Sequence, residues 1–192
     1  EERKRAFIKE FLRTVNPKLI WDLGCNIGDY SVLALQNGVE MSIGFDSDHQ
    51  VIDEAFLISA NKKLSLLPLY LDAANPSPSQ GWNHSERQSL VGRVQADAIF
   101  CLAFVHHLAI AKSIPLKWVV DWLVSLAPDG VIEFVQKDDP TVQTMVSLRR
   151  GAQLEYSEEV FCQYLGRRAR IVRKEKISQC GRTLYWYTQP KK

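Results

Sequence analysis

The chain has no apolar run long enough to cross a membrane and no charged-then-apolar opening of the kind a secretory leader needs. It has little net charge, a formal +2 over 192 residues, so its charge points to no polyanionic or polycationic partner. Cysteine and histidine are sparse and scattered. Cys25, Cys101, Cys162 and Cys180 form no Cys-x-x-Cys pair, and His49, His84, His106 and His107 complete no zinc pattern. We therefore expect no metal and no membrane partner, and read the cysteines as reduced thiols of a cytoplasmic protein. What remains is an ordinary globular composition, 46% apolar and 24% charged, enough to bury one sizeable core. One domain over residues 1–192 is expected, and its opening on Glu1 rather than Met leads us to expect an N-terminal domain ahead of it in a longer protein.

One stretch organises the rest: Leu19-Ile-Trp-Asp-Leu-Gly-Cys-Asn-Ile-Gly-Asp-Tyr-Ser31. Leu19, Ile20 and Trp21 read as a buried strand with Asp22 at its carboxyl end. Gly24, Asn26 and Gly28 make a tight turn, and helix-period apolar residues follow at Val32, Leu33 and Leu35. A strand feeding a glycine turn into a helix lets a ligand approach the backbone and meet the free N–H groups of the helix start. Asn26 stands where a dinucleotide fingerprint carries glycine, and Asn tolerates a left-handed backbone. Asp22 repels a pyrophosphate but attracts an ammonium, which favours a zwitterionic, sulfonium-bearing ligand over a dinucleotide. Any strand-turn-helix of an α/β protein can use glycine in this way, so the rest of the chain has to carry part of the argument. The pattern Asp-x-Gly-x-Asn-x-Gly resembles motif I of the class I S-adenosylmethionine-dependent methyltransferases. The resemblance implies S-adenosyl-L-methionine as cofactor, held by Asp22, Gly24, Cys25, Asn26 and Gly28.

Before that stretch, Phe7, Ile8, Phe11 and Leu12 form a helical apolar stripe able to pack on a sheet. After it, Asn37-Gly38 ends a helix and Met41 to Phe45 reads as a second strand. Asp46 follows, 18 residues beyond Gly28, where a carboxylate can accept from ribose hydroxyls. Ser47 or Asp48 can instead cap a helix over Gln50 to Asn61, and both roles are compatible. A third strand, Leu66 to Leu71, leads into Asp72-Ala73-Ala74, resembling motif III, whose acidic residue bonds the adenine amino group; an exposed turn carboxylate is the competing reading. Residues 75–95 form an insertion rich in turn formers, with a short helix expected from Ser85 to Val94. Its Trp82, His84, Arg87 and Arg93 are candidates for substrate contact, against a surface excursion with Trp82 pinned to the core.

The fourth strand, Ala98 to Leu102, precedes Ala103-Phe-Val-His-His-Leu108, which resembles motif IV and the segment behind it. The resemblance adds Cys101 and Leu102, with Ser47 and Ala73, to the cofactor pocket. His106 and His107 are the candidate bases, since a neutral imidazole takes a proton from a hydroxyl or amine near pH 7. Adjacent helical residues differ by about 100°, so only one of the two is expected to face the cleft while the other packs. A helix over Leu116 to Leu126 is expected to bury Trp118, Val119, Trp122 and Leu123. Leu126-Ala-Pro-Asp-Gly130 enters a fifth strand, Val131 to Val135, in a manner similar to the same family. Lys137 and Asp138 at that strand's carboxyl edge are further substrate candidates.

The remaining sequence reads as helices near Thr141 to Arg150 and Ser157 to Leu165, then strands Ala169 to Ile177 and Thr183 to Thr188 joined through Cys180-Gly181-Arg182. Residues 149–192 hold eleven Lys or Arg against four Glu, a local net of +7. With no aromatic interleaving, this basic run reads as a charged edge strand rather than a nucleic-acid face. The chain as a whole resembles the seven-stranded class I methyltransferase fold, an α/β, Rossmann-like sandwich, mostly parallel with an antiparallel last strand, in the order 3-2-1-4-5-7-6. More loosely, it resembles a bacterial subfamily of nodulation-type methyltransferases. Methyl transfer to an oxygen or nitrogen of a small-molecule acceptor is the expected activity. An RNA methyltransferase using the basic C-terminal face and an inactive cofactor-binding module are the alternatives. Cys101-Leu-Ala-Phe104 stands where the exocyclic-amine nucleic-acid enzymes carry Asn-Pro-Pro-Tyr, which argues against those enzymes but leaves ribose and other RNA targets open; a nucleic-acid partner is not the expectation.

Overall fold

The apolar runs become one seven-stranded sheet in the order β3-β2-β1-β4-β5-β7-β6. The computed structural model describes residues 1–93, 95–147, 155–178 and 181–190. β1 (Leu19–Leu23), β2 (Met41–Asp46), β3 (Leu66–Tyr70), β4 (Ala98–Cys101) and β5 (Asp129–Val135) run parallel. β7 (Arg182–Thr188) is antiparallel to both β5 and the edge strand β6 (Arg170–Lys176), so the expected topology is the observed one.

Because side chains alternate across a strand, β1 feeds two cores at once. Ile20 faces one, with α1 (Glu2–Val15) contributing Phe7, Ile8, Phe11 and Leu12 and α2 (Asp29–Gln36) contributing Leu33 and Ala34. Trp21 faces the other, with Val119, Val120 and Leu123 of α4 (Leu116–Leu126) and Phe161 and Leu165 of α6 (Glu158–Arg168). Burial on both faces explains why β1 and β4 are apolar runs rather than alternating ones. The chain steps outward from β1 to β3 through α2 and α3 (His49–Lys62), then returns to place β4 on the other side of β1. That reversal opens a crevice at the carboxyl ends of β1 and β4, where α/β folds bind ligands.

Three local expectations need correcting. Trp118 is 65% exposed, because the buried stripe of α4 runs through Leu116, Val119, Val120 and Leu123 and leaves residue 118 on the opposite side. No helix forms from Ser85 through Arg93. Instead Gln80 and Arg87 pair as an antiparallel bridge around a 3-10 turn at Trp82–His84, with Gly81, Asn83 and His84 at positive φ. Trp82 is not pinned to the core but 84% exposed. α5 spans Pro140–Ser147; the rest of the helix expected to Arg150 lies outside the described residues, as do Val94 and Cys180.

Candidate active site

The turn after β1 is built from backbone bonds that only certain residues allow. Gly24 and Cys25 both donate their N–H to Phe45 O, at 2.8 and 3.0 Å, lashing the turn to the end of β2. Gly24 has φ +73°, and a Cβ there would lie 2.7 Å from the Phe104 ring, so glycine is required twice over. Asn26 takes φ +52° and Gly28 φ +88°, the latter as the residue preceding α2. The Asn26 N–H donates to Asp46 Oδ2 at 3.0 Å, and Asp48 N–H to Asp46 Oδ1 at 3.1 Å. Asp46 therefore fixes the turn as well as presenting a carboxylate, while Asp48 takes the capping role by accepting from Gln50 N at 2.8 Å.

These elements enclose a cavity of about 620 Å³ lined by Asp22, Asp46 and Asp72, which stand at or just beyond the ends of β1, β2 and β3. Asp22 is 2% exposed and accepts from Ser31 Oγ at 2.7 Å. Burial drives its pKa up to about 6; the Ser31 bond and the field of Lys4 oppose the rise. Asp72 accepts from Ala74 N at 3.0 Å. Gly24, Cys25, Asn26, Ser47, Ala73 and Leu102 join the lining as the sequence suggested. Burial first, then the Asp22 and Asp46 charges, keep the Cys25 thiol protonated and unreactive.

Other expected members lie elsewhere. Gly28 is not in the cavity wall but packs beneath it, where a Cβ would meet Leu66 at 3.0 Å. Cys101 is fully buried behind the wall. Of the histidine pair, His107 lines the cavity and His106 packs, 2% exposed, with the ring centroids 4.3 Å apart. Burial, then His107 and Arg182, push His106 down to about 4, and its Nδ1 has no hydrogen-bond partner among the described residues. Desolvation also lowers His107, against the pull of Asp46. Both imidazoles are thus neutral at pH 7. The two stand on a short helical turn that continues as a π-helix over His107–Ala111, a widened geometry frequent at functional sites.

Trp82 and Arg87 belong to the exposed hairpin and do not line this cavity. Lys137 and Asp138 line a second cavity of about 200 Å³ with Phe134, Tyr156 and Glu158. The sequence reading missed Lys4, Tyr30, Phe104 and Lys112, all of which line the main cavity. Tyr30 and Phe104 stand inside the stretches Leu19–Ser31 and Ala103–Leu108, whereas Lys4 comes from α1, before the first strand, and meets the site only through packing.

No family model matches the chain. Among solved structures, the N-methyltransferase NodS from Bradyrhizobium japonicum WM9 in complex with S-adenosyl-l-homocysteine superposes with a TM-score of 0.69 at 12% identity, covering 100% of this chain and 88% of that one. A S-adenosylmethionine-dependent methyltransferase from Clostridium acetobutylicum gives 0.67 at 14% identity, covering 96% and 90%. With the sheet order, these likenesses show that the chain shares the fold of those methyltransferases. In sequence it is kin to the nodulation protein NoeA of Rhizobium meliloti (strain 1021), 49% identical over 184 residues that cover 96% of this chain and 39% of that protein. A tRNA U34 carboxymethyltransferase of Campylobacter lari is 26% identical over 129 residues, 67% of this chain and 38% of that protein. The chain thus spans about two fifths of the length of the curated relatives it matches.

Proposed function

We propose that the chain binds S-adenosyl-L-methionine in the 620 Å³ cavity and transfers its methyl group to an oxygen or nitrogen of a small-molecule acceptor. The observation carrying this reading is that Asp22, Asp46 and Asp72, from the ends of successive strands, line one cavity beside a turn that only glycine and a left-handed Asn can make. The donor set suits the cofactor. Asp22 accepts from its ammonium, Asp46 from its ribose hydroxyls, and Asp72 from its adenine amino group. A pyrophosphate would meet those three carboxylates and also Asp29, which opens α2 and lines the same cavity.

Bound there, the sulfonium supplies an activated methyl group and a neutral thioether leaving group. The chain's own work is to hold donor and acceptor in line and to exclude water. His107, neutral and in the cavity wall, takes the proton from a hydroxyl or ammonium acceptor; His106 supports its ring from behind. Lys137 and Asp138 at the edge of β5, and Trp82 and Arg87 on the hairpin, are the acceptor-side residues of this reading. In the cytoplasm, reducing conditions suit Cys25, Cys101 and Cys162, which are free thiols. Among the described residues, no helix is long and apolar enough to cross a membrane.

Calorimetric titration with S-adenosylhomocysteine and with nicotinamide dinucleotides tests the proposal. Binding of the first alone is expected, and heat from a dinucleotide without heat from S-adenosylhomocysteine overturns it. An RNA acceptor is the second reading, favoured by the relative named for tRNA U34. Against it, basic groups of the C-terminal third are already paired, Arg173 with Glu10 and Glu175 and Arg168 with Asp121.

A further inference from the structure

The first turns of α1 reach the rim of the cavity, and one side chain there is held with unusual care. Lys4 Nζ lies 2.6 Å from Glu133 Oε2, with the lysine side chain 12% exposed and the carboxylate 1% exposed in the middle of β5. The Tyr30 ring lies under the same ammonium, 4.7 Å from Nζ to the centroid, and Tyr30 OH donates to Glu1 Oε1 at 2.5 Å. Lys4, Tyr30 and Asp22 share the cavity wall, and Lys4 is near enough to Asp22 for its field to act on that carboxyl.

We infer that Lys4 binds the carboxylate of the cofactor's amino-acid tail while Asp22 binds the ammonium. This assignment rests on the cofactor reading above. A lysine ammonium has three donors and Glu133 takes one, so the lysine can serve a ligand without abandoning its buried partner. Neutralising Glu133 does not by itself require a lysine in the cavity wall, since Arg182 Nη1 also approaches Glu133 Oε1 at 3.5 Å. The charges select the ligand chemistry. A phosphate dianion at Lys4 would meet Asp22 and Asp29 in the same wall, whereas an α-amino acid carries its two opposite charges on one carbon and adds no net charge. Glu133 and the Tyr30 ring also restrict the lysine before any ligand arrives, which reduces the ordering cost of binding.

The experiment compares S-adenosylhomocysteine with its decarboxylated counterpart, which keeps the ammonium and lacks only the carboxylate, by calorimetry on wild type, Lys4→Met and Lys4→Arg. Wild type is expected to prefer the carboxylated ligand by roughly ten- to a hundred-fold, the scale of a charge-assisted hydrogen bond. Lys4→Met should lose that preference while binding the decarboxylated ligand as wild type does, and Lys4→Arg should keep most of it. The ratio is read within each protein, so a loss of stability that weakens both ligands leaves it unchanged. Equal binding of the two ligands by wild type, or an unaltered ratio in Lys4→Met, overturns the assignment. If wild type binds neither ligand, the cofactor reading itself fails.

Discussion

Replacing Asp22 by Asn should stabilise the unliganded protein at neutral pH while weakening its hold on the cofactor. Asp22 is buried, accepts from both the hydroxyl and the backbone N–H of Ser31, and has its pKa raised by burial from 3.8 to about 6. A carboxyl whose folded-state pKa exceeds its unfolded value takes up protons on folding. Its charge therefore costs nothing below the unfolded value, costs progressively more as pH rises towards the folded value, and costs the full amount above it. At 1.36 kcal/mol for each unit, the shift corresponds to an upper limit of about 3 kcal/mol at pH 8. For a domain of this size that is roughly 6–12 °C in melting temperature. Asn keeps an acceptor for Ser31. Thermal melts at pH 8 and pH 4 check this. The variant should melt several degrees above wild type at pH 8 and together with it at pH 4. An equal loss of melting temperature at both pH values would refute the argument that buried charge is the cost. The same carboxylate must be ionised to meet an ammonium, so wild-type affinity for S-adenosylhomocysteine should fall about tenfold per pH unit below pH 6.

Asp46→Asn, which can still accept from Asn26 N, should lose roughly ten- to a hundred-fold in cofactor affinity by calorimetry. Asp46→Ala should lose more, because it also frees the Asn26 turn. His107→Ala should leave S-adenosylhomocysteine affinity nearly intact and slow transfer by about 10²–10⁴-fold once an acceptor is in hand. His106→Ala, from a 2%-exposed position, should instead appear as a lower melting temperature, and the reverse pattern would exchange the two roles. RNA or DNA should bind weakly at physiological salt. A sub-micromolar complex that is lost on replacing Arg167, Arg168 and Arg170 would move an RNA acceptor to first place.

The order of strands was legible because each element carries its own local signal. β1 and β4 are apolar runs, α4 begins after Pro115, α6 after Ser157, and glycine marks the turn after β1. The carboxylates of the main cavity were legible for the same reason, since Asp22, Asp46 and Asp72 each stand at or beyond a strand end, and parallel strands bring such ends to one edge. The failures are equally local. A helical reading of residues 85–94 passes over Gly92, while the chain closes a hairpin through the Gln80–Arg87 bridge. Trp118 looked like core because large aromatics usually are, yet its place on α4 faces away from the stripe that packs.

What the amino-acid sequence determined by itself was therefore everything set by short-range chemistry: the periodicities, the turn that needs Gly24 and Asn26, and the carboxylates at strand ends. Only the tertiary structure decided which histidine meets the cavity, because that depends on the rotation of the His106–His107 turn against the sheet. Only the tertiary structure brought Lys4 to Glu133, 129 residues away in the chain, and Lys4 to the wall of the site. Contacts of that span are set by how helices pack across a sheet, and no pattern of neighbouring residues encodes them.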